Sequence, residues 1–221
     1  MGTLRGPLFF YSLTDMPFPT NAASTELDAV NQILSSVGQA PVTTLDQQNP
    51  EVFTALNTLR EQSKQVQIEG WAFNTERHYV LKPDATSKKI EVPSNMLAID
   101  SNVAKHRDKY DLVLRNGFVY DRYNHKNTFD EDVTADVLWY FDFQYLPPGM
   151  QAYITAKAAR MAATKMVGDA QLNQLLQEQE ATTRAAVIEE ECNQGDYSFF
   201  GFRDGDNYYN SYQPYRALSR Q

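Results

Sequence analysis

Hydrophobic positions along the chain change period three times. Leu27, Val30, Leu34 and Val37 recur at helical spacing, with Ile33 widening the stripe. Thr25 stands before this run as an N-cap. Asp28, three residues on, completes a capping-box pattern with a shorter acid than usual, and Gly38 ends the helix. A second start signal follows at Asn49–Pro50, a cap followed by a proline at the first helical position. Val52, Leu56, Leu59 and Val66 then form one apolar face that ends at Gly70. After Gly70 the period falls to about two. Trp71 to Lys82 is aromatic and β-branched, Pro83–Asp84 predicts a turn, and Lys89–Val92 reads as a return strand. Lys109–Arg115 and Phe118–Tyr123 flank Asn116–Gly117, the dipeptide best suited to a type I′ hairpin because both positions accept positive φ. Val133, Ala135, Val137, Trp139 and Phe141 alternate with mostly polar residues, as in a half-buried strand.

Helical spacing returns after Leu146–Pro147–Pro148–Gly149. Residues 151–167 are Ala-rich, with Tyr153, Ile154, Met161 and Met166 as the large apolar side chains. Such a small-residue face serves a core or a subunit contact equally well. Gly168–Asp169 interrupts the pattern, and 170–193 continues as a more polar helix carrying Leu172, Leu175, Leu176 and Val187. The reading is therefore α+β: a helical bundle over 24–70 and 146–193, with an antiparallel β domain inserted at 71–145. Residues 1–23 read as an arm. Its apolar start loosely imitates a signal peptide, but Thr14–Asp15 interrupts it and no small-residue cleavage site follows.

The stretch 194–221 fits no periodic element. It holds Tyr197, Phe199, Phe200, Phe202, Tyr208, Tyr209, Tyr212 and Tyr215, eight of the chain's 27 aromatic residues. Aromatic side chains carry contact energy at low entropic cost, so the expectation is a docking arm. The alternative is an arm folded back on its own domain.

Composition narrows the chemistry. With 20 Lys+Arg against 28 Asp+Glu in 221 residues, the formal net charge is −8, which argues against a dedicated grip on nucleic acid. The lone Cys192 excludes an internal disulfide, and the three acids Glu189, Glu190 and Glu191 beside it disfavour a thiolate. No run approaches the ~20 apolar residues of a membrane span, so no membrane insertion is expected. His78, His106 and His125 lack ligand spacing and read as surface or turn residues. Asp130–Glu131–Asp132 reads as a solvated cluster. Asp204–Gly205–Asp206–Asn207 opens like a calcium loop but lacks the glycine and distal glutamate of an EF-hand. Nucleophile elbows, phosphate loops and zincin motifs are all missing. The expectation is no catalytic residues, no metal and no cofactor, hence no enzyme.

The segment Glu26-Leu27-Asp28-Ala29-Val30-Asn31-Gln32-Ile33-Leu34-Ser35-Ser36-Val37-Gly38-Gln39-Ala40-Pro41-Val42 resembles the tail tubular protein A family, the head-to-tail adaptors of short-tailed bacteriophages. Gly70-Trp71-Ala72-Phe73-Asn74 is similar to that family's second block. Leu146-Pro147, Tyr153-Ile154 and Ala158-Ala159-Arg160 are similar to its third. The likeness runs in order from about residue 24 to 200, with departures in the long N-terminal arm and the aromatic tail. It implies a structural virion protein of the phage tail, assembled in the host cytoplasm. Its subunits would form a homo-dodecamer ring between the portal protein and the tail nozzle, with tail fibres attached nearby and genomic DNA passing through without sequence-specific binding. An acidic ring would repel phosphates and let DNA slide. On this implication the arm residues face the portal, and the hairpin tip Asn116–Gly117 faces the nozzle or fibre. The alternatives carried alongside are a tail-associated hydrolase acting on cell-wall or capsule polysaccharide, and a scaffold of cellular origin.

Overall fold

The computed structural model describes residues 25–46, 48–101 and 109–194. The first helix, α1 (Glu26–Ser36), begins as its sequence signals. Thr25 Oγ1 accepts the Asp28 N–H at 3.1 Å, while an Asp28 carboxylate oxygen accepts the Thr25 N–H at 3.0 Å and its hydroxyl at 2.7 Å. Those bonds hold the Asp28 carboxyl below its usual range, the Thr25 hydroxyl contributing most. A carboxyl depressed in the folded state adds stability above its unfolded pKa, and that contribution is lost as pH falls through its folded value. Thr25→Ala should therefore cost about 1 kcal/mol near neutral pH. The difference from the parent in urea midpoint should shrink once the pH is below the Asp28 value; a constant difference down to pH about 2 would contradict this account.

Helix α2 (Pro50–Gln67) is capped by Asn49, whose side-chain oxygen accepts the Glu51 N–H at 3.0 Å. Two further helices, α3 (Pro148–Met166) and α4 (Ala170–Gln194), close the chain's described part. The central one is α3, which packs against α1, α2 and α4. Half of its buried residues are alanine (Ala156, Ala158, Ala159, Ala162 and Ala163), with Tyr153 and Ile154 filling the space between helices. Ile33, Leu34, Leu59 and Val66 complete this core, and the small-residue face is thereby interior within one chain.

The β part has a separate core of Leu81, Ile90, Met96, Leu112, Val119, Phe129 and the alternate residues Val133, Ala135 and Val137. Its strands are β1 (Thr75–Leu81), β2 (Met96–Asp100), β3 (Leu112–Arg115), β4 (Phe118–Asp121) and β5 (Val133–Trp139). β5 lies between β1 and β2 in an antiparallel three-stranded sheet, and β3–β4 form a separate two-stranded hairpin.

Three sequence expectations change here. Residues 72–74 form a 3-10 turn, so the strand begins at Thr75. Asn74 causes this by folding its side chain back onto the Trp71 N–H at 2.9 Å. The segment 89–92 does not return along β1. It runs beside β4 instead, with the Val119 N–H bonded to the Ile90 carbonyl at 3.0 Å and the Val92 N–H to that of Gly117 at 2.9 Å. The second neighbour of β5 is β2, whose Met-Leu-Ala-Ile-Asp sequence lacks the alternation that marks a strand. His78 sits at an irregularity in β1 with φ 56°, and its N–H is held by Asp136 at 3.0 Å.

Candidate interaction surfaces

The β3–β4 hairpin turns through Asn116 and Gly117 with φ values of 54° and 77°, the left-handed pair that the dipeptide predicts. Both residues are exposed. Behind the tip, Arg115 lies 4.2 Å from the Tyr120 ring centroid and Lys89 lies 5.2 Å from that of Phe118. The outward face of the hairpin thus combines aromatic rings with cations lying over them, while Leu112 and Val119 anchor its inner face. Its base carries ion pairs. Arg122 donates to Asp111 at 2.9 and 3.0 Å, Lys109 bonds Glu131, and Lys88 bonds Asp130. These bonds raise the Arg122 and Lys109 values and lower that of Asp130. Because the partners are exposed, they orient the surface more than they stabilise it. Two of the three acids at 130–132 are therefore lysine partners.

On the helical side, α4 is pinned to the bundle by polar contacts. Arg184 donates to the Tyr153 hydroxyl at 2.7 Å and to Glu69 at 3.2 Å, and the first of these contributes most to raising its value. Lys157 pairs with Glu69 at 3.7 Å, and Arg160 bonds Glu180. The Glu191 carboxylate accepts the Ala72 N–H at 2.7 Å, so one of the three consecutive acids fastens α4 instead of standing free in solvent.

Between the two cores lies a joint that sequence reasoning missed. The buried Gln67 donates to the Phe141 carbonyl at 2.9 Å and accepts the Phe141 N–H at 2.8 Å. The equally buried Asn74 donates to the carbonyls of Gln67 at 2.9 Å and Trp139 at 3.0 Å. Gln67 falls on the buried side of α2, and a polar residue there is the only signal the sequence offers.

Among the described residues, no group of three or more His, Cys, Asp or Glu could hold a metal ion. His78 and His125 lie at separate positive-φ positions, and Cys192 is exposed. An open groove between α3 and α4 is lined by Arg160, Asn173, Gln174 and Glu178, without a nucleophile. No described helix is long and apolar enough to cross a membrane. His106 and the aromatic residues Tyr197, Phe199, Phe200, Phe202, Tyr208, Tyr209, Tyr212 and Tyr215 lie outside the described residues.

A family model described as tail tubular protein matches residues 27–197, a range that takes in nearly all of α1 and every later helix and strand. A protein of Klebsiella phage KP34 named tail tubular protein A is 31% identical over 123 residues, which span 55% of this chain and 62% of that relative.

Proposed function

Because the chain belongs to the tail tubular protein family, we propose that this structural protein of a phage tail is a non-catalytic head-to-tail adaptor. Twelve copies would form a ring between portal and nozzle, and the genome would leave through its bore. The observation that carries this reading is the family match across 27–197, which spans both the helical and the β cores. Two features of the fold support it. A helical end and a β end present different surfaces, as a subunit joining two unlike neighbours requires. The net charge of −8 suits a conduit that must not retain phosphates. On this reading the aromatics of 194–221 reach the portal, and the exposed Asn116–Gly117 tip faces the nozzle or a tail fibre. The comparisons give the hydrolase alternative no support.

Portal rings from the same particle, mixed with the full chain and with a chain ending at Gln194, test the proposal. Electron microscopy with mass measurement would count the bound copies. Twelve copies of the full chain and none of the truncated one are expected. Equal binding by both would remove the docking arm, and binding by neither would overturn the adaptor reading.

A further inference from the structure

The cations around the β3–β4 hairpin divide into two sets. At its base, Arg122, Lys109 and Lys88 are each held by a carboxylate, those of Asp111, Glu131 and Asp130. Toward the tip, Arg115 and Lys89 meet no carboxylate among the described residues, and each lies over a ring instead. The strand register places them. Arg115 pairs across the hairpin with Phe118 and reaches diagonally to Tyr120. The segment 89–92 runs along the other side of β4, with Glu91 bridged to Phe118. Because Ile90 and Val119 are buried, Lys89, Glu91, Arg115, Phe118 and Tyr120 share the opposite, outward face. Two cations on strands about 10 Å apart thus flank two half-exposed rings, against the single acid Glu91. Nothing lies within 4 Å of where a side chain on Gly117 would begin, so the tip beside them is open.

Contact with a ring restrains a guanidinium without spending its N–H donors. A planar fork held in this way matches a carboxylate, and less side-chain freedom is left to lose on binding. A nucleic-acid backbone needs a longer track of cations than this patch offers, and the chain's net charge of −8 works against one. We propose that the hairpin face beside the tip binds an acidic segment of another protein, Arg115 donating to an Asp or Glu carboxylate while an adjoining apolar residue packs beside Phe118 and Tyr120. Lys89 adds a second positive charge to the same face. The inference deepens the adaptor reading and rests on it for the neighbour being the nozzle or a fibre.

NMR of the arginine Nε–H groups on the full chain tests this. The probes are the peptide acetyl-Gly-Leu-Asp-Leu-Glu-Gly-amide, its Asn/Gln counterpart, and a short DNA duplex. The expected result is a saturable shift of the Arg115 signal with the acidic peptide alone, as that peptide is raised to about 10 mM. Read from the Gly117 amide, Arg115→Gln should weaken binding about tenfold or more. Arg122→Gln, whose guanidinium is already bonded to Asp111, should stay within about twofold of the parent. Equal shifts from the Asn/Gln peptide, no saturable shift in the parent, or equal binding by Arg115→Gln would each overturn the proposal. A stronger response to the duplex would give the face to nucleic acid, and a shift on concentrating the protein alone would give it to a second copy; either overturns the proposal as well. Neither nozzle nor fibre is present in these samples, so a failure here removes the carboxylate contact and leaves the adaptor reading to the portal count.

Discussion

Asn74→Ala should lower the unfolding free energy by about 3 kcal/mol, taking roughly 1 kcal/mol for each of the three hydrogen bonds its side chain makes. The side chain is 1% exposed, so water cannot replace it at the Gln67 and Trp139 carbonyls or at the Trp71 N–H. A buried backbone group without a partner costs its full desolvation, which is why removing the amide is worse than losing an ordinary surface contact. The effect should register at both cores. Trp71 belongs to the helical core, with its indole N–H bonded to the Val66 carbonyl at 2.7 Å. Trp139 packs against the β core. These are the chain's two tryptophans, so fluorescence-detected urea unfolding reports the joint directly. Gln67→Leu should behave similarly, because it strips the N–H and the carbonyl of Phe141 together. A loss below about 1 kcal/mol in either variant would show that the two cores are joined by something other than these amides.

That joint also marks where sequence reading stops. Both early helices were legible because caps, stripes and terminators agreed: Thr25 with Asp28, and Asn49 with Pro50. The hairpin was legible because few dipeptides besides Asn-Gly tolerate two positive φ values in succession. β2 was not, since its exposure follows contacts with β5 and a nearby β3 instead of a two-residue period in its own sequence. The 89–92 segment was misassigned for a related reason. Its partner is chosen by tertiary packing of Ile90 in the β core, and nothing local distinguishes β1 from β4 as its neighbour. Of the candidate site, the hairpin tip was readable down to its dihedral angles. The fastening of α4 was not, because Glu69–Arg184 and Ala72–Glu191 join residues more than a hundred positions apart.

The alanine face of α3 makes the second large prediction, because its sequence left core and subunit contact equally open. Ala162 has no exposed surface, and α1, α2 and α4 all pack against the helix that carries it. Ala162→Leu adds a branched side chain to an interior already at close-packed density, so neighbouring helices must move apart or side chains must leave their rotamers. The expected loss is about 2–3 kcal/mol, at the upper part of the range for overpacked cores. Ala152→Leu on the same helix is the control, since residue 152 is exposed and leucine is nearly as good a helix former as alanine. It should change stability by less than about 0.5 kcal/mol. Urea unfolding of both variants, together with sedimentation over a range of concentration, separates the two roles of a small-residue helix face. If Ala162 closes the interior of one chain, the variant unfolds more easily and self-association is unaffected at the concentrations where the parent is folded. If it served a contact between subunits, stability of the single chain would hold and only self-association would change, an outcome incompatible with the packing of α3 described above.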